Sequence, residues 1–167
     1  MLLLIIVNRI SGESRGGFFA LAYSTAQLLF SVGGFEIRPV QSTDIKNKFT
    51  FDQYFTSRML NCIIMLICMI GYIVVNGYTG VEALTVFWIL GYRMVEAVAD
   101  VYSGLFQQRE RIDISGKEML MRSGISTITF TIILWLTDNL LYAAMTLTLT
   151  SLVIMLFYDL HMKKYFE

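Results

Sequence analysis

The chain has 167 residues, of which 56% are hydrophobic and only 16% are charged, and its formal net charge is zero. Soluble domains usually carry about 25% charged residues, so this composition favours several membrane spans over one soluble domain. The zero net charge gives no support to a nucleic-acid partner or to a strongly acidic one.

The chain opens with a short apolar segment. Residues 1–7 are wholly apolar, whereas about 20 residues are needed to span a bilayer. They also lack the basic region and the small-residue cleavage site of a signal peptide. We interpret them as the end of a transmembrane helix whose beginning is missing, and we expect the chain to be a fragment of a longer protein.

Five further apolar segments are long enough to be spans. They are residues 17–34, 59–75, 81–106, 119–137 and 140–158. Only Asp138 and Asn139 separate the last two, which predicts a tight antiparallel helical hairpin. The sequence therefore predicts an all-α fold: one transmembrane domain over residues 1–167, a polytopic bundle of about six helices with the first truncated.

The longest polar stretch, residues 36–57, separates the second span from the third. It contains an aromatic patch, whose members are Phe49, Phe51, Tyr54 and Phe55. Two interpretations remain open, a short amphipathic helix at the membrane interface and a loop that covers helix ends.

Basic residues predict how the spans are oriented. One side of the bundle would hold Arg38, Lys46, Lys48, Arg58, Arg109, Arg111, Lys117, Arg122, Lys163 and Lys164. The opposite side would hold Arg9 and Arg15 alone. Because lysine and arginine concentrate in cytoplasmic loops, the first set predicts the cytoplasmic side of the cell membrane. The turns at residues 76–80 and 138–139 are then expected outside.

The fourth span carries three charged residues, Arg93, Glu96 and Asp100. At i, i+3 and i+7 they share one stripe of a helix. A charge at the bilayer centre costs roughly 2.5–3.5 kcal/mol on insertion scales, so such residues usually face a bundle interior or an aqueous cavity. A polar pathway and a self-neutralised structural cluster are both consistent with this pattern.

Nothing in the sequence indicates catalysis. His161 is the only histidine and lies near the C-terminus, so no nucleophile–base pair with histidine and no histidine–acid metal cluster is available within the spans. A phosphate-binding Gly-x-x-x-x-Gly-Lys loop is absent from the sequence. We therefore predict no enzyme activity, no catalytic residue, no metal and no cofactor.

The polar groups in or near the membrane form a candidate substrate path. Its members are Arg9, Arg15, Gln27, Arg38, Arg93, Glu96 and Asp100. Fixed cations that line a cavity suit an anionic substrate such as a diphosphate, because arginine matches phosphate oxygens with two parallel hydrogen bonds. The alternative for each arginine taken alone is an anchor at the membrane interface.

Two stretches of the sequence resemble a known family. In the first, the matching residues are Gly34, Arg38, Gln41, Asp44, Tyr54 and Arg58. In the second, they are Glu96, Asp100, Gly104, Gln107, Arg111, Asp113, Gly116, Lys117 and Arg122. The first pattern resembles the second and third helices of polysaccharide flippases, the Wzx-type members of the MOP/MATE-like exporter superfamily, and the second resembles the fourth helix and the following cytoplasmic loop of that family. Pro39, directly after Arg38, departs from the pattern.

The resemblance implies the N-terminal half of a transporter with 12–14 helices and a MATE-like fold. It implies a flippase of polyprenyl-diphosphate-linked oligosaccharide units for lipopolysaccharide or other surface polysaccharide, working by alternating access, in which Arg38 at the cytoplasmic mouth meets the diphosphate first. The implied partners are this lipid-linked substrate, membrane lipid, a glycan polymerase and glycosyltransferases. The alternatives are a MATE-like, cation-coupled exporter of small molecules and a non-transporting membrane subunit of a glycan-synthesis complex.

Overall fold

The computed structural model of the chain describes residues 2–34, 37–44 and 48–163. This part of the chain contains seven helices and no strand, which confirms the all-α prediction. The helices are α1 (Leu2–Ser11), α2 (Glu13–Gly34), α3 (Ile37–Thr43), α4 (Phe51–Val75), α5 (Gly80–Gln108), α6 (Ile112–Thr137) and α7 (Leu140–Lys163). The basic residues Lys46 and Lys164, used above for orientation, lie outside the described ranges.

Three of these helices are long and apolar enough to cross a membrane. They are α4, α6 and the Leu140–Asp159 part of α7, and each exposes large apolar side chains such as Ile67, Trp135 and Phe157. The composition and these helices fit a membrane protein. Helices α2 and α5 form where further spans were predicted, and their crossing of the membrane remains a prediction.

Two helices begin about two turns earlier than the apolar pattern indicates. Helix α4 starts at Phe51 rather than at residue 59, and α6 starts at Ile112 rather than at residue 119. Polar side chains in the added turns interrupt the apolar pattern, yet Arg58 of α4 is buried inside the bundle. Apolar length therefore placed these two helix starts too late.

The aromatic patch belongs mainly to the beginning of α4. Phe51, Tyr54 and Phe55 lie in its first turns and not in a separate interfacial helix or loop. The Phe51 ring packs against Tyr102 of α5, with the ring centroids 5.3 Å apart. Packing of Phe51 and Phe55 against Tyr102 of α5 stabilises the first turns of α4, because aromatic side chains contribute large apolar areas.

Helix α5 lies at the centre of the fold and contacts α2, α3, α4, α6 and α7. Its glycines allow two close approaches. A Cβ atom at Gly91 would lie 3.2 Å from Cγ2 of Thr148 on α7, and one at Gly104 would lie 2.4 Å from Oε1 of Gln41 on α3. Thr148 also donates a hydrogen bond of 2.7 Å to the backbone carbonyl of Trp88, which joins α7 to α5.

Helices α6 and α7 form the predicted tight hairpin. Asp138 ends α6 in the left-handed conformation, with φ of 45°, and Asn139 accepts a hydrogen bond from the backbone N–H of Leu141 at 3.0 Å. A hydrogen bond of 3.3 Å from Thr129 to Thr150 joins the two helices and fixes their register. The hairpin prediction is confirmed.

Candidate functional site

The charged stripe of α5 is divided between two separate ion-pair groups. Arg93 and Glu96 form an ion pair one turn apart, in which Arg93 is buried and Glu96 is partly exposed. This is the pairing that the i, i+3 spacing predicts. The Arg93 guanidinium also lies over the Tyr23 ring of α2, with its Cζ atom 4.3 Å from the ring centroid, a cation–π contact.

Arg93 opens into a groove between α1, α2 and α5. The groove has a volume of about 510 Å³ and is lined by Leu4, Ala20, Tyr23, Ser24, Gln27, Leu28 and Arg93. It combines a guanidinium, an amide and two hydroxyl groups with aliphatic side chains. The structure thus brings together Gln27 and Arg93, two residues of the predicted substrate path.

Asp100, the third residue of the stripe, binds two arginines near the far end of α5. Its Oδ1 accepts a hydrogen bond of 3.0 Å from Arg38 Nη1, and its Oδ2 accepts one of 3.1 Å from Arg58 Nη2. Arg38 Nε also donates to Gln107 Oε1 at 3.1 Å. The sequence-based site omitted Arg58, although this residue stands in the matched pattern. It falls one residue before the predicted third span, residues 59–75, where an arginine is ordinarily taken as an exposed loop charge.

These contacts bear on the expectation for Arg38. It was expected to be an exposed residue at the cytoplasmic mouth and to meet the diphosphate first. Its guanidinium is instead held between Asp100 and Gln107 and is partly buried. An anion could bind Arg38 by competing with Asp100 for the guanidinium. It could also bind the guanidinium N–H groups that do not contact Asp100 or Gln107.

Asp44 contacts residues just before α4 and in its first turn, at this same end of the bundle. Its carboxylate accepts hydrogen bonds from the backbone N–H groups of Lys48 and Phe49 at 2.9 and 3.0 Å, and from the Tyr54 hydroxyl at 3.0 Å. The Lys48 N–H, the Phe49 N–H and then the Tyr54 hydroxyl lower the pKa of Asp44, because each stabilises its ionised form.

Arg15 lies at the opposite end of the bundle. Its Nη1 pairs with Asp138 Oδ2 at 2.9 Å and donates to the Asp138 backbone carbonyl at 2.8 Å. The hydroxyl of Ser11 donates to Asp138 Oδ1 at 3.0 Å. The Ser11 hydroxyl and then the Arg15 guanidinium lower the pKa of Asp138.

The predicted substrate path is therefore not one continuous line of polar groups. Gln27 and Arg93 line the groove, and Glu96 is paired with Arg93. Arg38 and Asp100 lie near one end of the bundle, and Arg15 lies at the other end. Arg9 is exposed on α1. The charge of Arg15 is used to hold the α6–α7 turn.

The hairpin holds a further charged group that the sequence-based site missed. Glu118, Arg122 and Asp159 are all buried between helices. They fall near the ends of the predicted spans, where charged residues are ordinarily taken as exposed. Their spacing of four residues from Glu118 to Arg122 was the available signal for a pair on one face.

Comparison of the chain with models of protein families, with curated proteins and with solved structures found no match. The fold of the described residues defines the class, an all-helical protein in which three of the described helices could cross a membrane. The function has to be argued from the groove and from the charged groups of this chain.

Proposed function

We propose that this chain is part of a membrane transporter that moves an amphipathic, anionic lipid across the bilayer. The observation that carries the proposal is the groove beside Arg93, which places a buried cation and hydrogen-bonding groups next to aliphatic side chains. A polyprenyl diphosphate carries both features, a phosphate-rich head and a hydrocarbon chain. The substrate that best fits the resemblance is a polyprenyl-diphosphate-linked oligosaccharide.

Binding in the groove would proceed by exchange of ion-pair partners. At rest, Glu96 neutralises Arg93, so the protein does not hold an uncompensated buried charge. A phosphate oxygen that enters the groove would compete with Glu96 for the guanidinium. Glu96 is the more exposed of the two side chains, so it can remain solvated when its partner is taken.

The second charged group would favour approach of the same substrate. Arg38 and Arg58 share the single carboxylate of Asp100, so these three side chains carry one net positive charge. An excess positive charge at the entrance of a membrane protein attracts an anionic headgroup. The proposed path runs from this end towards the groove, and no covalent step is needed.

The proposed architecture is the N-terminal half of a MATE-like flippase in the cell membrane, with its basic loops in the cytoplasm. Alternating access would then require a second helical half. A glycan polymerase and glycosyltransferases are the partners that this role implies.

Cysteine labelling tests the proposed orientation. In a variant without Cys62 and Cys68, a cysteine at Asn76 should react with an impermeant maleimide applied to intact cells. A cysteine at Lys117 should react only after the cells are opened. Labelling of position 117 from outside would overturn the orientation.

Lipid binding tests the proposed function. The full chain is reconstituted into nanodiscs and titrated with polyprenyl diphosphate, with the uncharged polyprenol as the reference lipid. Arg93→Lys keeps the charge but loses the planar fork, and Gln27→Leu removes an amide from the groove. We expect Arg93→Lys to weaken diphosphate binding by about tenfold or more, since hydrogen bonds to charged groups contribute about 1.5–3 kcal/mol.

The matched control is Arg109→Ala, which removes an exposed arginine from the turn after α5, outside the groove lining. It should bind the diphosphate as the parent chain does. Equal binding of polyprenol and polyprenyl diphosphate, or unchanged affinity in both groove variants, would contradict the proposal.

A further inference from the structure

The interface between α6 and α7 is a seam of residues spaced four apart. On α6 the buried members are Glu118, Arg122, Ser126, Phe130 and Leu134, and on α7 they are Ala143, Leu147, Ser151, Met155 and Asp159. The hairpin register places the first member of the α6 series near the last member of the α7 series. The half of the seam near the turn is therefore apolar, and the half far from the turn holds all of the polar members together with Met155.

The polar end of the seam contains two carboxyl groups that are removed from solvent. Glu118 is 0% exposed and Asp159 is 1% exposed. Arg122 Nε donates a hydrogen bond to Glu118 Oε1. Glu118 Oε2 and both carboxylate oxygens of Asp159 have no hydrogen-bond partner within the described ranges.

Two carboxylates here face one guanidinium. The groups that act electrostatically on Asp159 are Glu118 and Arg122 of α6. On the α5 side, Arg122 is also faced by Glu96 and Tyr92. Glu96 is itself paired with Arg93, so α5 supplies no spare cation. With every acid ionised, this buried group would carry one uncompensated negative charge.

An unpaired carboxylate in such a site is very costly, because burial removes the water that stabilises its charge. Proteins normally avoid the cost by pairing the charge or by neutralising the group. Pairing is already used for Glu118, whose partner is Arg122. Neutralisation remains for Asp159, whose two oxygens lack any donor among the described residues.

We infer that Glu118 and Asp159 form a proton-binding site that holds one proton, carried by the Asp159 carboxyl group. With Asp159 protonated, Glu118 remains ionised and paired with Arg122. The proton thereby removes the excess negative charge from the buried group. The proton comes from water and returns to water, and no other reactant is needed.

The proton site stands independently of the proposed lipid transport, because it lies in the α6–α7 seam and its test uses no transport assay. The folded chain would bind a proton that the unfolded chain releases at neutral pH, where a solvated aspartate is ionised. Stability is then greatest at low pH and decreases as the pH rises through the range in which the site loses its proton.

The experiment measures the unfolding temperature of the full chain in detergent micelles between about pH 5 and pH 9, a range that covers the titration of buried carboxyls. We expect the parent chain to lose stability as the pH rises. Asp159→Asn should abolish that loss, because the amide is neutral at every pH. Ser151→Ala, which removes a buried polar group from the same helix without a titratable proton, should retain it.

Glu118→Gln provides a second arm if Asp159→Asn does not fold. It leaves Asp159 with Arg122 as an available partner, so ionisation is opposed by burial alone and the pH-dependent loss should become clearly smaller. Infrared difference spectra should show a protonated carboxyl band in the parent chain that is absent from Asp159→Asn and retained in Asp52→Asn, an exposed control.

Retention of the parent pH dependence in Asp159→Asn and Glu118→Gln would overturn the inference, as would absence of the carboxyl band. The series is repeated with sodium replaced by choline. A stability that follows sodium concentration and not pH would assign the site to a metal cation and would also overturn it.

Discussion

The two ends of the bundle use ion pairs in different ways. At one end, Arg15 and Asp138 pair through side chains that are 50% and 61% exposed. At the other end, Arg58 and Asp100 pair through side chains that are 2% and 22% exposed. Exposed pairs contribute about 0–1 kcal/mol, whereas breaking a buried pair costs about 3–5 kcal/mol because a buried charge is left over.

This difference separates two structural roles. The exposed pair ties the turn between α1 and α2 to the α6–α7 turn, so it positions helix ends. The buried pair joins α4 to α5 inside the bundle, so it fixes the positions of charges that the proposed substrate would meet. The loss of stability caused by a substitution should therefore increase with the burial of the charge that it leaves unpaired.

Asp100→Ala should have the largest effect. It removes the carboxylate that Arg38 and Arg58 both contact, and the buried Arg58 guanidinium then loses its carboxylate partner. We expect the free energy of unfolding in mixed micelles to fall by about 3–5 kcal/mol.

The control for this variant is Asp52→Ala, since Asp52 is an exposed aspartate in the first turn of α4. Surface substitutions of this kind usually change stability by about 0.5 kcal/mol or less. A loss below about 1 kcal/mol for Asp100→Ala, in the range of an exposed pair, would show that the two ends are energetically alike.

Arg93→Ala should have the next largest effect. It leaves Glu96 without its partner, but Glu96 is 25% exposed and can be partly solvated, so we expect a loss of about 2–3 kcal/mol. Adding Glu96→Gln should recover part of this loss, because the remaining amide carries no charge.

A double-mutant cycle measures the coupling between Arg93 and Glu96 directly. The abundance of each variant in the membrane gives a second measurement, and it should rank the variants in the same order as their stability. If Arg93→Ala combined with Glu96→Gln is no more stable than Arg93→Ala alone, the two side chains do not compensate one another in the folded protein.

Sequence patterns predict the local part of this arrangement and miss the tertiary part. Apolar segment length predicts the helices, and the two-residue separation at Asp138 and Asn139 predicts the hairpin. The i, i+3 spacing predicts the pairing of Arg93 with Glu96, since that contact is made within one helix.

The partners of Asp100 could not be predicted in the same way. Arg58 and Arg38 lie 42 and 62 residues away in the sequence, and only the packing of α3 and α4 against α5 brings them to one carboxylate. The same packing buries the early turns of α4, which explains why its beginning was placed too late. The seam pair of Glu118 and Asp159 likewise depends on the register of two helices.

Acid should destabilise the exposed end of the bundle by protonating the Asp138 carboxylate. Because the Ser11 hydroxyl and the Arg15 guanidinium lower the pKa of Asp138 in the folded chain, its contribution to stability is present above the ordinary aspartate pKa. That contribution is lost as the pH falls through the lowered value. We expect amide hydrogen exchange, corrected for its intrinsic pH dependence, to lose protection around Ser11 and Arg15 at acid pH. Asp138→Asn should show the reduced protection at neutral pH, and equal protection in both chains would contradict the role of this carboxylate.

Arg15→Ala should have the smallest effect on global stability. Both partners of this pair are at least half exposed, so water already solvates their charges, and its removal should lower the free energy of unfolding by about 1 kcal/mol or less. The effect should shrink further as salt is raised from about 0.01 M to 1 M, because the Debye length falls from about 30 Å to about 3 Å. The loss in Asp100→Ala should persist over the same salt range, since salt screens buried charges much less. An Arg15→Ala loss as large and as insensitive to salt as that of Asp100→Ala would show that the exposed end is as tightly coupled to the fold as the buried one.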